Sequence, residues 1–156
     1  MAFERGAVVV LRGVGVALSR GSAHHDGSDG LVIELEDQVL FVPAGSDVHD
    51  QLRAPVEVEN ARALLEIVRA SGADDREWSA RITETERTIA EDELASQAAW
   101  LGALYAAERA GDAPLEAVLN RKALEAVVLS ELAYVLGRTV RELSAELSGD
   151  APSDAQ

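Results

Sequence analysis

Few side chains in this sequence are grouped in a way that could do chemistry. His24-His25-Asp26 sets two imidazoles beside a carboxylate, donors that zinc or copper accepts. No His at ligand spacing follows, however, and the chain has no Cys to complete such a site. With His49 standing apart, the three histidines read as solvated loop residues. Gly13-Val14-Gly15 follows a β-branched run but lacks the third glycine and the helix of a dinucleotide fingerprint, so it reads as a turn. Glu91-Asp92-Glu93 suits a helix N-terminus, where acid complements the macrodipole, and Glu84 and Glu86 suit a solvated helix face. No Ser or Thr stands in a context that marks a nucleophile beside a base. No metal, no cofactor and no enzymatic activity are expected.

Trp78 is the single residue that invites a function. It opens a helical pattern in Arg76-Glu77-Trp78-Ser79-Ala80-Arg81. Ile82 and Ile89 share its face, with Thr85 in the remaining slot, which suits core packing. An aromatic at a helix start also suits an exposed wedge that inserts at an unstacked base step. Both readings stay open on the sequence. Trp100 lies in a nearly continuous apolar helix and reads as core.

The elements that must position these residues fall into two textures. Residues 1–53 contain Ala7 to Leu11, Val14 to Leu18, Leu31 to Leu35 and Gln38 to Val42, short β-branched runs broken by Gly, Asp and Ser. Glu36-Asp37 predicts a tight hairpin. Ser19 to Gly30, polar and Gly-rich, predicts a mobile loop. So many short strands in about fifty residues suggest a small, curved barrel. Residues 54–148 read as five helices. Ala61, Leu64, Leu65 and Val68 mark the first, with Asp74 and Glu77 as a capping box before the second. The third runs from Glu91 to Ala110. The fourth carries Leu124, Val127, Val128, Leu132, Val135 and Leu136 and closes near Gly137. The fifth spans Thr139 to Leu147, and residues 149–156 predict a disordered tail. The fold class is therefore α+β, a β-module followed by a compact helical domain.

Composition limits the partners. The 156 residues carry 14 basic and 28 acidic side chains, a formal net charge of -14. Residues 1–53 account for 4 basic and 8 acidic, and residues 54–156 for 10 and 20. That balance opposes a sequence-independent grip on nucleic acid, which needs clustered Lys and Arg. The longest uncharged apolar stretch, Ala98 to Ala107, is about half of the ~20 residues a membrane span requires. The N-terminus lacks the basic start of a signal peptide, and a soluble, cytoplasmic protein is the expectation.

Order and spacing of particular residues give a more specific reading. Phe3-Glu4-Arg5-Gly6-Ala7-Val8-Val9-Val10, Gly15, Leu31-Val32-Ile33-Glu34-Leu35, Val42-Pro43, Gln51-Leu52-Arg53, Trp78-Ser79 and Ser130-Glu131-Leu132-Ala133 follow one another in a familiar sequence. Over roughly residues 2–148 the chain resembles the CarD/CdnL family of bacterial transcription regulators. The resemblance implies a Tudor-like N-terminal barrel that binds the β subunit of RNA polymerase by strand-edge pairing, here through Val39, Leu40, Phe41, Val42 and Pro43. It also implies a helical domain whose Trp78 wedges into promoter DNA at the edge of the melted bubble, with Ser79, Arg81, Arg121 and Lys122 as further DNA contacts.

The chain departs from the family pattern in places. Acids follow the wedge Trp where basic residues are usual, and Phe41 stands where many members place an Arg. The implied function is modulation of open-complex stability with weak or no independent DNA binding, promoter DNA being reached through the polymerase. The alternative is a module of the same fold that has lost DNA contact and binds polymerase or another protein through its acidic surface. Oligomeric state is left open by the sequence.

Overall fold

A computed structural model of the chain describes residues 3–12, 14–36, 38–91 and 93–149. The chain divides into two compact units, Met1–Pro55 and Val56–Gln156. The expected disordered tail lies almost wholly outside the described residues; its first residue, Gly149, caps the last helix in a left-handed conformation.

The first unit holds β1 (Val8–Leu11), β2 (Gly15–His25), β3 (Ser28–Leu35), β4 (Gln38–Pro43), a short helix α1 (Asp47–Asp50) and β5 (Leu52–Arg53). All pairings are antiparallel, in the order β4-β3-β2-β1-β5. The register places Val9 opposite Ala17 and Leu31 opposite Val42, so residues of one parity meet on one face. Val9, Leu11, Ala17, Leu31, Ile33 and Val42 form the core there, with Phe3, Leu35 and Leu52 packed against it. Leu35 pairs with Gln38, as a two-residue turn at Glu36-Asp37 requires, although Asp37 itself lies outside the described residues.

Two expectations for this unit are corrected. Ser19 to Gly30 is a long hairpin, not a loop. Asp26 and Gly27 both take positive φ (51° and 79°), the two-residue turn whose twist matches paired strands. Side chains across the hairpin then pair, Arg20 with Glu34 at 2.9 Å and His24 with Asp29 at 2.8 Å. The sheet is also open. A barrel needs its two edges joined, but β5 has only two residues, pairs with β1 alone, and has no ladder to β4 among the described residues. The β2–β3 ladder is interrupted by a bulge between Ser19 and Gly21. Buried Ser19 organises that bulge: its N–H donates to the Ala7 carbonyl, and its hydroxyl donates to the Phe3 carbonyl and accepts from the Gly21 N–H.

The second unit holds α2 (Val58–Ala70), α3 (Trp78–Ala90), α4 (Leu94–Ala110), α5 (Leu115–Leu136) and α6 (Val140–Ser148). α2 lays Ala61, Leu64, Leu65 and Val68 into a core shared with Leu101, Leu104 and Tyr105 of α4, Leu124, Val128 and Leu132 of α5, and Leu143 of α6. α4 approaches α2 closely at Gly102, where a Cβ would fall 2.2 Å from the Val68 carbonyl oxygen. The expected capping box at Asp74 and Glu77 does not form. Glu77 is the N-cap of α3 without a side-chain bond, because Asp74 takes the Arg76 backbone N–H and guanidinium instead. The capping box lies at Thr139 and Glu142, opening α6. α4 begins at Leu94, three residues later than expected, since Glu91 still closes α3 through bonds to the Arg87 and Thr88 carbonyls. α5 ends at Gly137 in a left-handed conformation, as its pattern predicts.

Candidate functional site

β4 is an edge strand, and its ladder parity determines what that edge offers. The Ala44 N–H donates to the Asp29 carbonyl at 2.9 Å, in the same register that pairs Val42 with Leu31 and Leu40 with Ile33. Bonded and non-bonded pairs alternate along an antiparallel ladder, so the N–H and C=O of Val39 and Phe41 point outward, away from β3. Val39 is 56% exposed and Leu40 37%, so the outward edge carries apolar side chains beside backbone groups that have no ladder partner among the described residues. Pro43 lacks an N–H, and its carbonyl is taken by the Ser46 N–H and hydroxyl, which ends the pairing edge at that residue. Phe41 is half-buried, its ring edge-on to His25 (centroids 5.3 Å apart) and seated over Gly30, where a Cβ would collide with it. Val42 is buried in the core, so of the five expected contact residues it is the one whose side chain no partner can reach.

Around Trp78 the helical unit presents a different arrangement. Trp78 is half-buried and packs on the helical core, while the Arg81 guanidinium lies 4.7 Å above its ring. Arg81 also donates to the Asp74 carbonyl, and its Nε is buried with no hydrogen-bond partner in the structure. Ser79 is exposed, and its carbonyl accepts the Thr83 hydroxyl. Arg76, which the sequence reading passed over, stacks 5.1 Å over Trp100 and bonds to Asp74 at 2.8 Å. That bond holds the Asp74 carboxyl below its ordinary range. Trp100 is core, as expected, its indole N–H donating to buried Thr85 at 2.8 Å. Glu84 takes Arg87, which likewise draws the Glu84 carboxyl down.

Arg121 does not stand free for phosphate. Its guanidinium grips Glu108 through two bonds of 2.9 and 3.0 Å, reaches Glu125 at 3.1 Å and lies 5.5 Å over the Tyr105 ring. The bonds to Glu108 hold Arg121 more firmly protonated than usual. Lys122, its neighbour, is exposed. Glu125 also accepts the hydroxyls of Tyr105 and Ser144, and burial pushes the Tyr105 phenol well above its ordinary range, with Glu125 adding to the effect. These residues line a cleft of about 380 Å³ between α4, α5 and α6. Sequence reasoning missed this network because its members come from three helices; only the spacing Arg121–Glu125 is visible as an i,i+4 pair.

His24 and His25 each meet one carboxylate, Asp29 and Asp26, at the hairpin tip. Among the described residues no group of three or more His, Asp or Glu side chains is placed to hold a metal ion. No described helix is long and apolar enough to cross a membrane. No protein-family model matches the chain, and no curated protein matches it.

Proposed function

We propose that this chain is a CarD-like regulator that docks on the β subunit of bacterial RNA polymerase by adding a strand to the edge of β4. Tethered in this way in the cytoplasm, it modulates the lifetime of the promoter open complex. The observation that carries the reading is the β4 edge: outward backbone groups at Val39 and Phe41, beside exposed Val39 and Leu40. Such an edge is a template for strand addition, in which backbone bonds supply affinity and alternate side chains supply selectivity. We read the bulged, open sheet as a Tudor-like half-barrel whose edge is left available.

On the DNA side, Trp78 remains partly accessible and carries Arg81 on its ring, which suits a wedge that meets unpaired bases. One observation favours the second reading, a polymerase-binding module without DNA contact. Arg121 is neutralised by Glu108 and Glu125, which leaves exposed Lys122 alone of that pair for phosphate. Tethering raises the effective concentration of DNA at the domain, so weak intrinsic affinity is compatible with the first reading.

The test is binding of the full chain to polymerase β, with Val39→Pro beside Val39→Ala. Val39→Pro deletes an outward N–H without removing a ladder bond. It is expected to weaken binding about tenfold, while Val39→Ala retains most of it. Equal binding by the two variants would overturn the strand-addition reading. If polymerase is bound, Trp78→Ala then separates the two functions: a shortened open-complex lifetime supports the wedge, and an unchanged one supports the module without DNA contact.

A further inference from the structure

α5 is apolar on two opposite sides. Its core side carries Leu124, Val128, Leu129 and Leu132, all fully buried. The other side carries exposed Leu115, Leu119, Ala123, Ala126 and Tyr134, with half-buried Ser130, whose hydroxyl is shut inside, between the last two; they lie three or four residues apart and so in one stripe along the helix. Leu115 is 72% exposed, Leu119 55% and Tyr134 52%. An apolar stripe of this length on a helix is ordinarily covered.

We infer that this face pairs with the same face of a second copy, the two α5 helices antiparallel about a two-fold axis between Ala123 and Ala126. Three features select a second copy as the occupant. The stripe is bulky at its ends and small at its centre. Antiparallel pairing sets Leu115 against Tyr134, Leu119 against Ser130 and Ala123 against Ala126, so the axes can approach to about 8 Å. Charge is arranged in the same sense. Exposed Asp112 and Glu116 lie at the N-terminal end, and exposed Arg141 lies just beyond the C-terminal end, next to Arg138, which is already paired with Glu146. Antiparallel pairing brings acid to base at both ends and opposes the helix dipoles. The extent of the face sets the strength. Twenty-two residues span about 33 Å. Two such faces bury on the order of 1,000 Å² in total, the lower limit for a specific interface. With a net charge of -14 on each copy, the result is a weak dimer that forms with rising concentration and tightens as salt screens the repulsion.

Sedimentation of the full chain from about 1 µM to about 1 mM tests this. The expected mass rises from 16.6 kDa toward twice that value, more readily at high salt. Leu119→Asp, checked for unchanged helicity by circular dichroism, is expected to weaken the dimer about 100-fold, because two leucines per dimer lose their cover. The absence of native Cys lets single spin labels report the geometry. Labels on Lys122→Cys come close across the axis, whereas labels on Glu116→Cys stay about 25 Å apart along it. A monomer at every concentration overturns the inference. So does a dimer indifferent to Leu119→Asp, or one with both label pairs close, as parallel helices would give.

Discussion

A carboxylate shut away from water needs donors, and Glu131, fully buried on α5, accepts the Val56 N–H at 2.7 Å where the chain enters α2. Glu131→Ala takes the acceptor from that part-buried N–H and leaves a gap in the core, and is expected to cost about 1–3 kcal/mol in chemical denaturation. Tyr105 carries a sign that alkaline titration can read. Its phenol is held protonated in the folded state, above the ordinary value near 10 for an unfolded chain. The stability it contributes is therefore intact below about pH 10 and is lost as pH rises toward the folded value. Denaturation at about pH 9 and pH 11 should show a larger loss for the native chain than for Tyr105→Phe; equal losses would remove Tyr105 from the account. Neither role was legible in the sequence. Glu131 appeared there only within a run of matching residues, and Arg121 looked like a phosphate contact because its bidentate partner Glu108 lies on another helix.

At the scale of elements, the strands and helices were more readable than their uses. The four β-branched runs, the helix closing at Gly137 and the Leu124–Val128–Leu132 stripe follow directly from period and capping. The β2–β3 hairpin was hidden because its distal half is built from Ser, His, Asp and Gly, so no apolar alternation announced it; the Asp26-Gly27 dipeptide was the available signal. Barrel closure was overestimated, since counting strands says nothing of whether the first and last can pair. The α2–α4 crossing depends on a position that reads as an ordinary helix glycine. Gly102→Ala must push α4 away from the Val68 carbonyl and is expected to cost about 1–3 kcal/mol, seen as a lowered midpoint in urea. An unchanged midpoint would mean that the two helices can separate freely.

For the whole molecule, the acid excess has two faces. Many of the carboxylates are engaged. Arg76 on Asp74, Arg87 on Glu84 and Arg138 on Glu146 each hold the acid below its ordinary range. A lowered folded value means that the unfolded chain binds protons first. The stabilisation is therefore present above about pH 4 and disappears as pH falls through the folded values. Thermal unfolding should show a falling midpoint below about pH 4, and a midpoint flat to about pH 2 would contradict these pairings. The rest of the excess leaves a helical unit poorly suited to hold DNA alone, so the function we propose rests on the β4 edge of the other unit. Residue-resolved amide exchange on β4, with and without RNA polymerase, tests that edge most directly. The Val39 and Phe41 amides are expected to exchange quickly in the free chain and become protected on binding, while Leu40, already bonded to β3, changes little. Unaltered exchange at Val39 and Phe41 in the presence of saturating polymerase would contradict strand addition at this edge.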